Sequence, residues 1–249
     1  MRKERRGEKM AQKKNFCKII LAPSPCFVED ADALISSLPF GEGEKLRLSE
    51  IKNQEYKNSS LSALLCLHEL LTVSGAAQND LSICRTPGGK PYFASHDLFF
   101  SISHAKDTVA VALSDTPVGI DIEFIDERRD ILSLSRRFFA PDEHKTISES
   151  NSPTEDFFAL WAKKEALAKI TGEGLAAICR AEGLDESYGF SLFSLNVGDA
   201  RAYISVCRKK GDITPTLACL IMQWARTSVC SGVTVRTPRR VQTAISRRV

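Results

Sequence analysis

Two spacings of apolar residues run through the chain, one of the strand kind and one of the helix kind. Residues 16 to 22, FCKIILA, form a short apolar run and predict a first strand. Residues 58 to 75, NSSLSALLCLHELLTVSG, place apolar side chains three and four apart and predict a buried helix stopped by Gly75. Between them LPFGEGEKLRLSEIKN is charged and contains glycine, so a loop running into a short exposed helix is expected. After Gly75 come LSICRTPGGKPYF, LFFSISHAKDTVAVALSD and PVGIDIEFI, short runs rich in Ile, Val and Phe. Pro-Gly-Gly, His-Ala-Lys-Asp and Asp-Thr-Pro turn signals separate them, which predicts a meander of strands.

The helical spacing then returns. Residues 130 to 149 predict one short helix up to Phe139 and a second with Pro141 in its first turn. TEDFFALWAKKEALAKITGEGL is the clearest helix, with Thr154 as expected N-cap, Glu155 and Asp156 in the first turn, and Gly172 as its stop. From about 188 to 224, YGFSLFSL, ARAYISVCR and TLACLIMQW read as strands again. This order predicts an α+β protein of two α+β halves joined near residue 116: residues 15–116 and residues 117–225, flanked by ends at 1–14 and 226–249.

Charge changes the picture of those ends. The net charge is +3, yet residues 1–14 hold seven Lys or Arg against two Glu, and residues 226–249 hold six Arg and no acid. Taking +5 and +6 from +3 leaves residues 15–225 at −8. The basic character sits in two tails, expected to be solvated, and an acidic body disfavours nucleic acid as a partner. The 249 residues, 43% of them hydrophobic, suffice for one large domain or two modest ones. Eight cysteines, at 17, 26, 66, 84, 179, 207, 219 and 230, include no C-x-x-C pair and no Cys/His group of zinc spacing. They are expected to be mostly buried, reduced thiols in a cytoplasmic protein, since IILA is far shorter than the apolar part of a signal peptide and no window is long enough to span a membrane.

Within PVGIDIEFI, Asp121 and Glu123 are two apart, so in a strand they share a face while Val118, Ile120 and Ile122 point the other way. Like charges that close repel, and two hard oxygen donors suit a Mg²⁺ ion that completes its shell with water and phosphate. A merely solvated edge strand is the simpler account of such a pair taken alone. On the 154–171 helix, Trp161, Lys164, Glu165 and Lys169 lie at spacings of three and four, making Glu165 a candidate third ligand, although lysine and glutamate at such spacing also suit a solvated face. In GGKPYF and FFSISHA, Gly89, Lys90, Ser103 and His104 are of the kinds that address phosphate, against the plainer reading of a hairpin turn beside a surface histidine.

Taken in order, GGKP, SISH, GIDIE and FFALWAKKEALAKITGEGL resemble the 4′-phosphopantetheinyl transferases, specifically the larger two-half type that activates peptide, polyketide and some fatty acid synthases, from about residue 85 to 175. The resemblance implies two similar halves in one chain, a pseudo-dimer with the active site at their interface, and a monomer. It implies transfer of the phosphopantetheine arm of coenzyme A to a serine of an apo acyl or peptidyl carrier protein, with Mg²⁺ on Asp121, Glu123 and Glu165. Lys169 then contacts the diphosphate, with Lys164 in support, and Glu143, after RRFFAPDE, matches a candidate base, a metal-bound water being the alternative. Gly89, Lys90, Pro91, Ser103 and His104 match positions that hold the adenine and 3′-phosphate end of coenzyme A.

The chain departs from that pattern at Ser101, where the family often has Asn, at Glu173, and at Ser59, which stands where an arginine for the 3′-phosphate is expected, with Lys57 or Arg47 as substitutes. These departures bear on coenzyme A affinity more than on chemistry. The alternative implied by the same fold is a module that binds coenzyme A or carrier proteins without transfer. Arg136, Arg137, Phe138 and Phe139 form a candidate docking patch for an acidic carrier, or else an amphipathic helix with Phe turned inward.

Overall fold

The computed structural model describes residues 16–23, 31–76, 81–94, 97–197 and 199–212, and the backbone alone of 220–230, 233–241 and 246–247. The first stretch runs β1 (Cys17–Pro23), α1 (Ala31–Ser37), α2 (Glu42–Glu50), α3 (Gln54–Ser74), β2 (Ile83–Arg85), β3 (Pro91–Phe93), β4 (Phe99–Ala105) and β5 (Thr108–Ser114). The next runs β6 (Gly119–Phe124), α4 (Ile131–Phe138), α5 (Pro141–Ser148), α6 (Pro153–Thr171), α7 (Leu175–Arg180), β7 (Tyr188–Val197) and β8 (Ala200–Lys209). Last come β9 (Leu220–Cys230), β10 (Val233–Val241) and β11 (Ser246–Arg247). The mixture of helix and sheet agrees with the expected α+β class.

Local chemistry sets the helix ends. The side chain of Asn53 caps α3 by accepting from the Tyr56 amide at 2.9 Å, and Gly75, at φ 61°, closes it in the left-handed conformation that a side chain disfavours. Gly172, at φ 79°, ends α6 in the same way, as expected. The start of α6 differs from expectation: Pro153 occupies the first turn, so the cap falls on Ser152 and not on Thr154. Helices α1 and α7, too short to show a periodicity, were not predicted. Helix α2 is not simply exposed either, because Glu44 and Leu48 are buried.

Two sheets form the middle of the molecule. One has the order β10-β9-β1-β5-β4 and the other β11-β7-β8-β6. Helix α3 covers the outer face of the first, burying Leu64, Leu67 and Leu71 with Ile20, Val109 and Val111. The inner faces meet through Ile19, Leu21, Ala110 and Ala112 on one side and Ile120, Ile122, Ile204 and Val206 on the other. Helices α4 to α6 cover the far face of the second sheet with Phe157, Phe158, Ala162 and Tyr203. The layers therefore run helices, sheet, sheet, helices, and each buried Leu, Ile or Phe contributes about 2 kcal/mol.

The two edge strands β4 and β6 lie side by side without forming a ladder. Instead the Ser101 hydroxyl accepts from the Ile120 amide at 3.1 Å, and the Ser103 hydroxyl accepts from the Ile122 amide at 3.4 Å. Serine hydroxyls thus satisfy the outward amides of an edge that would otherwise be buried and unpaired.

The chain end also differs from expectation. Strand β9 pairs in parallel with β1, at Ile20 with Leu220 and Leu21 with Ile221, and β10 pairs antiparallel with β9. Backbone within residues 226–249, expected as a solvated tail, therefore extends the first sheet, and the change of sheet falls before residue 225. VTVRT supplies the β-branched residues that suit this pairing, a signal that the charge count outweighed. Residues 1–14 lie outside those described. Cys17, Cys66, Cys179 and Cys207 are buried and Cys84 is exposed, none of them in a disulfide, and the side chains of Cys26, Cys219 and Cys230 lie outside those described. No helix among the described residues is long and apolar enough to cross a membrane.

Strand β6 and helix α6 touch backbone to backbone at Gly119, where an added Cβ would stand 2.0 Å from the Ala166 carbonyl oxygen. Neither partner is a flexible side chain, so the contact cannot be relieved locally. Gly119→Ala is expected to cost about 3 kcal/mol, seen as a lower urea midpoint at unchanged slope. A midpoint equal to that of the parent protein would show that the strand and helix can separate freely.

Candidate active site

The backbone contact at Gly119 brings the acid-bearing face of β6 under α6. Asp121, only 3% exposed, accepts at Oδ1 from Lys169 Nζ at 2.7 Å and from the Ser103 hydroxyl at 2.8 Å, and Lys169 Nζ also donates to that hydroxyl at 2.8 Å. One oxygen, one ammonium and one hydroxyl thus close a triangle joining β6, α6 and β4. The second oxygen, Asp121 Oδ2, is buried and has no hydrogen-bond partner. An orphaned carboxylate oxygen in the interior is costly unless a further positive group meets it.

Glu123, two residues along the same face, and Glu165 on α6 are both partly buried nearby. Their mutual influence shows in their acidity. The Glu123 carboxyl is pushed up to about 7, by burial first and then by the charges of Asp121 and Glu165. Glu165 is raised by burial and by Asp121, and Asp121 by burial, with Lys169 and the hydrogen bonds pulling back. Three acids share one lysine. Among the described residues no three His, Cys, Asp or Glu side chains stand arranged as a ready metal cage. The donor chemistry nevertheless fits a hard cation: three carboxylates within one another's field, one with a buried lone oxygen, and Glu165 among them on the wall of a cleft.

That cleft has a volume of about 330 Å³, and its walls include Gly89, Lys90, Ser101, Glu165, Lys169 and Glu173. A tight turn builds one wall: Gly89, at φ 84°, donates its amide to Thr86 O, and the Lys90 amide donates to Thr86 Oγ1. Lys90 Nζ reaches the Ile170 carbonyl at 3.4 Å, and burial lowers its pKa. Pro91 lines this cleft and a second cavity of about 170 Å³, whose wall includes Arg47, Ser59, Arg85 and His104. His104 is exposed at the strand end, yet partial desolvation and the Lys169 ammonium hold it below the usual imidazole range, against the pull of Asp121.

Several residues are engaged differently from their expected use. Ser103, expected at the adenine and phosphate end of coenzyme A, directs its hydroxyl to Asp121 and Lys169. Lys164 is fully buried and forms an ion pair with Glu143 at 2.9 Å, and neither lines the cleft. Trp161 belongs to an aromatic cluster with Phe138, Phe139 and Phe157. Phe139 is buried as an inward-packing helix requires, while Arg136 and Arg137 are exposed.

Two side chains escaped the sequence reading. Glu44, 4% exposed, accepts from Arg47 at 2.7 Å and from Arg85 at 3.0 Å, holding two guanidinium groups at one wall of the second cavity. Of the two substitutes expected for an arginine at Ser59, Arg47 is the one beside Ser59, whereas Lys57 pairs with Asp32 at 3.2 Å. The only sequence signal was the basic residue just ahead of TPGG.

Residues 117–218 match the sequence profile of the 4′-phosphopantetheinyl transferase superfamily. The chain is similar to 4′-phosphopantetheinyl transferase psf-1 of Bacillus pumilus, 36% identical over 114 residues, covering 45% of this chain and 43% of the relative. It is 34% identical over 119 residues to 4′-phosphopantetheinyl transferase gsp of Aneurinibacillus migulanus, covering 47% and 49%. With 4′-phosphopantetheinyl transferase AcpT of Salmonella typhimurium the identity is 40% over 89 residues, covering 34% and 46%. The chain spans less than half the length of each of these relatives.

The raised acidity constant of Glu123 has a consequence for stability. The folded protein holds a proton that the unfolded chain, at 4.5, releases sooner, so this contribution is complete below about pH 4.5, declines as pH rises and is gone above about 7. In chelator, the melting temperature is expected to fall between about pH 5 and 7.5, with a shallower fall in Glu123→Gln. Asp121 and Glu165 supply the remainder. An identical slope in Glu123→Gln would mean that the Glu123 carboxyl is not raised in the folded protein.

Proposed function

From the phosphopantetheinyl transferase superfamily segment at residues 117–218, we propose that this protein transfers the 4′-phosphopantetheine group of coenzyme A to a serine of an apo acyl or peptidyl carrier protein. The observation that carries the reading is the cluster of Asp121, Glu123 and Glu165 beside Lys169 on the matched segment, with Glu165 and Lys169 on the wall of the cleft. The carrier serine oxygen attacks the phosphorus bearing the pantetheine arm, the bond to the bridging oxygen breaks, and adenosine 3′,5′-bisphosphate leaves.

Asp121, Glu123 and Glu165 are the residues assigned to hold Mg²⁺, and when bound it would neutralise charge on the diphosphate oxygens. Lys169 has its ammonium fixed by Asp121 and Ser103, and from there it is suited to offset charge on the diphosphate. Its orientation is set before substrate arrives, which is where the gain from preorganised charge lies. Gly89, Lys90 and Pro91 line the way to the second cavity, where Arg47, Arg85 and His104 are assigned the 3′-phosphate end. The proton of the serine goes to a base. Both oxygens of Glu143, the expected residue, are engaged within the fold, which favours a water in the cleft.

The reading includes two α+β halves in one chain with the site at their interface, supported by Asp121 of β6 and Lys169 of α6 meeting Ser103 of β4. A cytoplasmic monomer serving an acidic carrier, with Arg136 and Arg137 on the docking side, completes it.

The test is mass spectrometry of an apo carrier protein incubated with this protein, coenzyme A and Mg²⁺, with a chelator control. A gain of one phosphopantetheine group that chelator prevents is expected. Asp121→Ala and Glu165→Ala should each lower transfer by about 100-fold or more while the protein stays folded by circular dichroism. Full activity in either variant removes the assigned carboxylate site. Bound coenzyme A with no transfer to any of several carriers would instead leave a binding module.

A further inference from the structure

The ion pair of Lys164 and Glu143 is the one close pair in which a fully buried lysine meets an acid among the described residues, and neither residue is on the cleft wall. Lys164 Nζ lies 2.9 Å from Glu143 Oε1 and donates to the carbonyls of Ile178 at 3.1 Å and of Cys179 and Ala181 at 3.4 Å each. Those carbonyls belong to the last turn of α7 and the residue after it, where a helix has no partners of its own. Glu143, 13% exposed, uses Oε2 to accept from the Ala140 amide at 3.1 Å, which fixes it to the start of α5. One ammonium therefore ties α6 to α5 and α7 together.

The next residue along α6 is Glu165. Consecutive side chains on a helix project about 100° apart, so fixing the direction of Lys164 fixes that of Glu165. The backbone contact at Gly119 sets how closely α6 approaches β6. Lys169 ties α6 to Asp121 and Ser103 on one side, and the Lys164 anchor adds a second tie on another, against rotation about the helix axis. Apolar residues of the same shape would stabilise the interior as well as a buried ion pair does, so what the pair adds is direction.

We propose that Lys164 and Glu143 are positioning residues that clamp α6 against rotation and so hold Glu165 toward Asp121, and that neither touches substrate. This rests on the transferase reading only in taking Glu165 as a ligand of the divalent cation. It replaces two roles expected from family resemblance, a base for Glu143 and a coenzyme A contact for Lys164. A base must come within about 3 Å of the proton it takes, and a Glu143 held at both oxygens and absent from the cleft wall does not.

The experiment compares the full chain with Glu143→Gln, Lys164→Met and the double variant, using Asp121→Ala as the reference for a lost cation site. One readout is the Mg²⁺ concentration giving half of the Mg²⁺-induced rise in melting temperature. The other is carrier loading at saturating Mg²⁺, resolved into kcat, the KM for coenzyme A and the pH profile. Glu143→Gln and the double variant are expected to shift the Mg²⁺ midpoint upward by about tenfold or more, with the KM for coenzyme A and the shape of the pH profile kept. Lys164→Met alone, which leaves Glu143 buried without its cation, should give the lowest melting temperature, and the double variant should recover that temperature but not the Mg²⁺ midpoint.

A fall in kcat of about 100-fold or more in Glu143→Gln, with loss of the acidic limb of the pH profile and an unmoved midpoint, would make Glu143 the base and overturn the proposal. A double variant with the parent's midpoint would reduce the pair to packing, and so would a parent protein that shows no Mg²⁺-induced rise. If no carrier is loaded by any variant or the parent, yet the midpoints shift as expected, the transferase reading falls and the clamp stands.

Discussion

The contact between the backbone of Gly119 and that of Ala166 is the constraint on which the remaining arrangement turns. A strand and a helix normally stand apart by the length of the side chains between them. Removing one Cβ lets β6 and α6 approach until glycine meets carbonyl, and the same approach forces the acids of β6 and the acid of α6 into one another's field. Closeness here is a source of repulsion, and the fold tolerates it only because hydrophobic burial on both sides of the sheet is far larger.

That repulsion is partly met by Lys169, whose ammonium sits between Asp121 and Ser103. One cation cannot serve three acids, and the remainder shows as an upward shift of acidity and an unpartnered buried oxygen. Protons satisfy such a cluster at low pH and a divalent cation would satisfy it at higher pH. The two compete for the same oxygens, so the site is a place where proton and metal affinity are set by one geometry.

Much of this was legible in the sequence. The period-two pattern of GIDIEF placed Asp121 and Glu123 on one face, and the glycine stops of α3 and α6 fell where positive φ is found. What could not be read was direction and partnership. Lys164 and Glu165 are adjacent letters, but only the packing of α5 and α7 decides that one is locked inside and the other turned to the cleft. Glu44 looked like one charge in a charged loop, because its two arginine partners are set by tertiary approach. The start of β9 was read from TLACLIMQW, but its end and β10 were hidden by an arginine count, although their β-branched residues already suited an edge that β1 left open.

The two serine hydroxyls between β4 and β6 give the molecule a seam of unusual kind. A ladder of backbone hydrogen bonds resists sliding along its whole length, whereas two side-chain acceptors hold at two points only. The amides of Ile120 and Ile122 are therefore shielded from deuterium by hydroxyls that can rotate away without unfolding either sheet. Their exchange rates report how often the two sheets part along that line, and since Ser103 also holds Asp121, each parting momentarily unmakes the acid site as well.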